Sequence, residues 1–288
     1  MRDIFPDVVL PISDKPERDV CVAVGPGVDE VLWLTAPKTS LNDTGFAKAT
    51  LMQLHSYRSG PQATTQPYRG RRRPHYVQGT KDGVLFVSAR VVVDGPGAWW
   101  TTRLLKNERR LSLGDGLSDV RVSPAGNIWA AYFDEGVFGG GPGAAGLVSF
   151  DKRGRQTWAY DANAAGTDDI SDVYAFNLSA EDDAWVYFYT PFVVVRWLNG
   201  VPTVWRTRIQ GARALAVRPN QALLFGDYDD PTSMRILDLP RGGGTARVKS
   251  RLRLCLPERT DPKSLQAYGA ADRLILWSST TMMILQHW

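Results

Sequence analysis

Residues Asp119 to Trp129 read DVRVSPAGNIW, and residues Asp172 to Trp185 read DVYAFNLSAEDDAW. Each stretch holds a run of strand-forming residues, a polar turn (Gly126-Asn127, Asp182-Asp183) and a short apolar run that ends in tryptophan. β-Branched and aromatic side chains suit a pleated surface, while Gly, Asn and Asp accept the backbone of a tight turn. Each stretch therefore reads as strand, turn, strand.

The unit recurs along the chain. Asp29 to Trp33 (DEVLW), Asp82 to Phe86 (DGVLF), Gln221 to Phe225 (QALLF) and Arg273 to Trp277 (RLILW) repeat the turn, the apolar run and the aromatic. Apolar runs precede them from Asp19, His75, Ala214 and Leu265. The aromatic falls at 33, 86, 129, 185, 225 and 277, in steps of 53, 43, 56, 40 and 52 residues. Further strand-like runs follow in most units, among them Gly146 to Asp151, Gly154 to Asp161, Phe192 to Trp197 and Pro202 to Ile209, the last two split by Asn199-Gly200. Asn-Gly between two apolar runs is a strong hairpin signal. Four antiparallel strands every 40 to 56 residues predict an all-β chain folded as a β-propeller.

Six units predict six blades. Seven is the second choice, because residues 34 to 74 contain enough chain to hide strands. The last unit lacks a fourth strand, and the apolar run Asp7 to Ile12 is expected to supply it and so close the ring. One domain, residues 1–288, is expected. A large flat side chain at one position of every unit fills the space between neighbouring blades. Trp33, Phe86, Trp129, Trp185, Phe225 and Trp277 are therefore assigned to packing.

Val122 to Trp129 and Leu178 to Trp185 resemble the strand–turn–strand units of bacterial six-bladed propellers of the NHL-type and gluconolactonase-like groups. Asn127 to Gly139, NIWAAYFDEGVFG with its YFDEG core, resembles a group of uncharacterised bacterial propellers. The first resemblance implies a propeller fold, and in its gluconolactonase-like branch a divalent metal held over the axis by carboxylate and Asn ligands. The Glu-Gly-Pro opening of that branch is replaced here by Pro16-Glu17-Arg18.

Composition bounds the function. The chain has 288 residues, 43% of them hydrophobic and 22% charged, with a formal net charge of +4, which excludes a disordered tail or a fibrous repeat. The charge is uneven. Residues 58–110 carry eleven Lys/Arg against three Asp/Glu, and residues 111–183 four against twelve. No run approaches a membrane span and no secretory leader is seen, so a cytoplasmic protein is expected. Cys21 and Cys255 read as reduced, buried thiols.

Candidate site residues follow from propeller connectivity. Connections that leave the second strand and those that enter the first share one face, which collects the long loops Leu34 to Gly45, Tyr57 to Pro74, Asp134 to Ala145, Asp161 to Ser171 and Gly226 to Thr232. Long loops on a rigid scaffold are where binding concentrates. The ligand-binding residues expected there are Asp115, Asp119, Asp134, Glu135, Asp172 and Asp227, with Asp168, Asp169, Asp229 and Asp230 nearby. Of these, Asp119, Asp134, Asp172 and Asp227 are the expected ligands of a hard cation, Ca or Mg. Arg69, Arg71, Arg72 and Arg73, flanked by Tyr68, His75 and Tyr76, form a basic loop that could meet a polyanion. Gly139 to Gly143 reads as a linker, because no Lys-Ser or Lys-Thr follows as a phosphate loop requires.

No HExxH and no G-x-S-x-G occurs, and His55, His75 and His287 are scattered. The first expectation is a non-enzymatic binding or scaffold module that presents the loop face to a protein, peptide or small ligand. The alternatives are a metal-dependent hydrolase or lactonase using the loop-face carboxylates, and nucleic-acid binding through Arg69 to Arg73.

Overall fold

A computed structural model describes the chain except residues 16, 28, 29, 43, 44, 47, 48, 61, 71, 92–95, 107 and 259. Arg71 and the first-unit turn residue Asp29 thus lie outside the described residues.

Each strand–turn–strand unit forms an antiparallel pair. Asp19–Pro26 pairs with Val31–Pro37, Tyr76–Gly79 with Val84–Val87, and Leu117–Val122 with Ile128–Tyr132. Asp172–Ala180 pairs with Asp183–Tyr189, Ala214–Arg218 with Gln221–Phe225, and Gln266–Ala270 with Arg273–Trp277. The recurrent aromatic lies on the second strand every time. The third and fourth strands are Leu147–Phe150 and Gln156–Ala159, Val193–Leu198 and Val201–Arg206, and Ser233–Asp238 and Arg247–Leu254. Asn199 and Gly200 both take positive φ, 50° and 78°, in the hairpin turn their sequence signals.

The early part of the chain is less regular. Thr50–Tyr57 and Thr64–Gly70 extend the first pair, and Ala98–Thr101 and Arg109–Leu111 extend the second. These two groups form one eight-stranded sheet, joined by the single residue pair Val24↔Tyr76. The expected loop Tyr57 to Pro74 is therefore corrected. Thr64 and Thr65 open a strand that Gln66 to Gly70 continue, so Arg69 sits on a sheet edge. Alternating polar residues had disguised that strand.

The C-terminal sheet takes its fourth strand from the N-terminus, as expected. Val8–Pro11 runs antiparallel to Thr281–Leu285. The Asp7 carboxylate fastens the junction by accepting the backbone N–H groups of Gln286 (2.5 Å) and His287 (3.0 Å) and by meeting the His287 ring at 2.6 Å. Burial alone would raise its pKa, but these bonds win and hold it below the usual carboxylate value. Arg2–Ile4 adds a parallel strand to the edge of Arg247–Leu254, and Gly244–Thr245 does the same for Val201–Arg206. Both cover edges that would otherwise offer unpaired backbone groups.

The hydrophobic cores lie between successive sheets. Val148 and Phe150 of one sheet meet Leu85 and Val87 of the sheet before it, and Leu147 meets Val173 and Phe188 of the sheet after it. Ile275, Met282 and Ile284 of the C-terminal sheet meet Val24, Val31 and Trp33 of the first. Of the recurrent aromatics, five are buried in these layers and Trp277 is half-buried.

First strands of different sheets converge on a common axis, which makes the architecture a β-propeller. Asn177 donates to Leu215 O (2.7 Å) and Ala271 O (2.9 Å), and Arg121 donates to Gly269 O (3.1 Å). A Cβ at Gly25 would lie 1.2 Å from Val77 O, and one at Gly269 would lie 1.7 Å from Leu215 O. The inner strands approach so closely there that only glycine fits. The axis is thereby plugged toward the tight turns and opens toward the long loops.

Gly139 to Gly143 is more ordered than a linker. A short helix, Asp134–Phe138, and a 3-10 turn, Pro142–Ala145, flank Gly139 to Gly141. Gly136 and Gly143 pack on the Tyr132 ring, where a Cβ would come within 3.0 Å and 2.7 Å of it. Both cysteines are free and half-buried rather than fully buried. Burial pushes the Cys21 thiol up to about 12. No helix among the described residues is long and apolar enough to cross a membrane.

Candidate functional site: the loop-face mouth of the axis

Five inner strands or their entries bring Tyr76, Ser118, Asp119, Tyr174, Arg213, Gln266 and Tyr268 around a cavity of about 260 Å³. Asp119 stands at its wall because a register shift between Leu117 and Asp119 re-aims the start of that strand. Asp119 and Arg121 form an ion pair at 2.7 Å, with side chains 7% and 3% exposed. Arg121 is held further by Gly269 O and by the Tyr268 ring, 4.7 Å from its guanidinium carbon. Tyr76 donates to Leu117 O at 2.8 Å. Arg213 is fixed by Leu265 O and Pro231 O, both at 2.7 Å.

Burial pushes the Asp119 carboxyl up to about 7, against the opposing pull of Arg121 and the Val120 N–H. The Tyr76 and Tyr268 phenols are also driven far up by burial. Ser118 Oγ is buried with no partner. The cavity thus combines a carboxyl near its titration point, an unused hydroxyl and one fixed cation, Arg213, which suits a ligand that brings its own hydrogen-bonding groups.

The other expected residues fall in different settings. Asp172 opens its inner strand half-buried, and burial together with the negative Asp134 pushes it up to about 6. Asp134 is exposed on the short helix and accepts the Glu135 N–H at 2.7 Å. Glu135 pairs with Arg90, which also meets Asp115 at 3.3 Å. Asp115 accepts the Val91 N–H at 2.6 Å. Asp227 is consumed locally by the N–H groups of Asp229 (3.0 Å) and Asp230 (2.6 Å), by the Ser233 hydroxyl (2.8 Å) and by Arg235 (3.1 Å). Asp168 and Asp169 are exposed. Among the described residues no group of three or more His, Cys, Asp or Glu side chains is placed to hold a metal ion. The proposed ligands Asp119, Asp134, Asp172 and Asp227 are therefore not gathered as a set.

In the basic segment, Arg69 and Arg72 line a hollow of about 530 Å³ with Trp99, Glu108 and Arg110. Arg72 donates to Pro96 O at 3.0 Å and lies over Trp99. Arg73 keeps a buried Nε without a partner.

Tyr76, Ser118, Arg121, Arg213, Gln266 and Tyr268 were absent from the sequence-derived set. One signal was present. Arg121 and Asn177 are polar residues flanked by apolar neighbours on inner strands, each directly opposite a recurrent tryptophan. A polar side chain there has only the axis to point to.

No protein-family model and no curated protein matches the chain, so the YFDEG resemblance gains no support there. Solved structures do match in fold. Regucalcin, a calcium-binding protein from Agrobacterium tumefaciens, aligns with TM-score 0.53 at 12% identity, over 99% of this chain and 97% of that one. A nidogen/laminin complex aligns with TM-score 0.53 at 10% identity, over 86% and 83%. Streptogramin B lyase aligns with TM-score 0.51 at 8% identity, over 96% and 97%. At these identities the likeness concerns the β-propeller fold alone.

Proposed function

We propose that the chain is a single-domain, six-bladed propeller that acts as a binding module, holding a polar ligand, free or as the tip of a peptide, at the loop-face mouth of its axis. Six blades follow from taking the eight-stranded sheet as two, since one residue pair alone joins its halves. The observation that carries the binding reading is the cavity wall formed by Asp119 and Ser118. There a buried carboxyl near its titration point, backed by Arg121, and an unpartnered hydroxyl share the cavity with the fixed Arg213. The preferred ligand carries an amine or hydroxyl donor for Asp119. That a nidogen neighbour is seen in complex with laminin is consistent with a protein partner on such a scaffold.

A second reading rests on the same carboxyl. A group near pH 7 in a cleft is suited to general-base work, as a metal-assisted hydrolase would need. One thermal-shift screen separates the two, using small amines, polyols and carboxylates with and without Ca²⁺ or Mg²⁺, alongside ester and lactone turnover. The binding reading expects stabilisation by amines or polyols that disappears in Ser118→Phe, without turnover. Divalent-dependent hydrolysis lost in Asp119→Asn would favour the second reading. No shift that depends on Ser118 would refute the pocket.

A further inference from the structure

A hollow of about 560 Å³ opens between the sheet that ends in Val201–Arg206 and the sheet that follows it. Arg208 and Ile209, just past the end of Val201–Arg206, form one wall. Arg235, Val248 and Arg251, on the third and fourth strands of the next sheet, form the other. Register explains the arrangement. Leu215, Leu224, Arg235 and Arg251 stand opposite one another across four strands, so their side chains share one face. Leu215 and Leu224 are buried against the preceding sheet. In the two sheets before this one, such rows stay apolar to their outer ends: Val148 lies opposite Ala159, and Val195 opposite Val204. Here two arginines take their place, directly opposite each other, where like charges repel. Arg235 donates to Asp227 at 3.1 Å. Among the described residues neither Arg208 nor Arg251 is ion-paired. The remaining wall is apolar. Val248 is 44% exposed and Tyr228 is 59% exposed. The Tyr228 ring is held in place, since a Cβ on Gly211 would lie 2.6 Å from it and its hydroxyl meets that of Tyr174 at 2.9 Å.

We propose that this hollow binds an organic monocarboxylate, its carboxylate taken by Arg251 with Arg208 and Arg235, and its apolar body laid on Val248 and Tyr228. A guanidinium presents a planar fork of N–H donors that matches a carboxylate. Charge selects the class of ligand. Three guanidinia face the Asp227 and Asp229 carboxylates across the hollow, which leaves one positive charge. A monocarboxylate cancels it, and a phosphate dianion overshoots it. A neutral ligand would leave the arginines repelling each other, and a cation would add to the repulsion. Size selects the organic body. The hollow falls within the usual range for small-molecule pockets, and an inorganic ion would leave most of it to water. The carboxylate can belong to a free acid or to the end of a peptide. The site uses neither Asp119 nor Ser118 and does not depend on the axial pocket.

The test is an NMR titration of the full chain with phenylpropionate, its amide, inorganic phosphate and N-acetylphenylalanine, whose free carboxylate imitates a peptide end. Phenylpropionate or N-acetylphenylalanine should bind saturably, and the amide about tenfold more weakly or worse. The tighter of the two acids identifies the source, a free acid or a peptide end. Arg251→Gln should weaken binding about tenfold without lowering Tm, because it removes one of two opposed like charges. Arg155→Ala, which removes a charge from a different sheet, should leave binding unchanged. Val248→Glu, at an exposed position, should abolish binding by placing a negative charge in the hollow, and it decides the matter if Arg251→Gln fails to fold. The proposal is overturned if neither acid saturates up to roughly 0.1 M, a weaker limit than any useful site. It is also overturned if the amide binds as well as the acid, if phosphate binds in place of both acids, or if binding persists in Val248→Glu.

Discussion

Asp119–Arg121 and Asp227–Arg235 are the same chemical pair in two parts of the propeller, and they do different work. Asp227 sits in a turn of the loop face, where it accepts two backbone N–H groups, a serine hydroxyl and its arginine. Both of its oxygens are thus engaged within its own loop, although it borders a hollow of about 560 Å³. Asp119 lies against the axis, with the Arg121 guanidinium as its close partner, and burial raises its pKa to about 7. A carboxylate saturated by its own loop is architecture. One left short of donors at a cavity wall is a site.

The contrast can be broken by substitution. Arg121→Met should cost the most, about 3 kcal/mol in urea unfolding, because it strands a buried acid. The figure sits at the low end of the range because Asp119 can take a proton. Arg235→Met should cost about 1 kcal/mol, since Asp227 keeps its other three donors. Equal losses in the two variants would erase the distinction between the pairs.

Asp172→Asn tests the half-buried carboxyl between these extremes. Its folded pKa is raised from 3.8 to about 6, so ionisation penalises the folded state above pH 4 and fully above pH 6. The variant should gain about 1 kcal/mol at pH 7 after allowance for solvent screening, and nothing at pH 3.5. A gain independent of pH would mean that charge is not its cause. Arg90→Ala should matter least, below about 0.5 kcal/mol, because its pairs with Asp115 and Glu135 are half-exposed. A loss as large as that of Arg121→Met would show that the loop face is held together electrostatically.

The strand–turn–strand units were legible because each joins two strand-forming runs through a polar turn, and in four of them a turn residue takes positive φ, at Gly126, Asp182, Asn220 and Ala271. The N-terminal closing strand was legible because the last unit was visibly one strand short. Thr64–Gly70 was not, since a sheet-edge strand with one face in water carries Thr, Gln and Arg and lacks an apolar run. The site was half legible. Asp119 follows from its place at an inner-strand start, whereas Tyr76, Arg213 and Tyr268 reach the same cavity from residues scattered over nearly 200 positions of sequence. Convergence on an axis has no local signature. Sequence shows how many carboxylates share a face, but not that Asp227, one of the four expected cation ligands, is already paired with Arg235 and Asp119 with Arg121, nor that the four are not grouped together.

The claim that matters most is that the axial pocket is where this propeller takes its ligand. The direct measurement is a crystallographic soak of the intact protein with small polar amines and alcohols at about millimolar strength, a range that detects weak fragments. The account predicts a fragment hydrogen-bonded to Asp119 or Ser118 inside the pocket, and its absence from crystals of Ser118→Phe. Fragments bound elsewhere with the axial pocket left to solvent would contradict it.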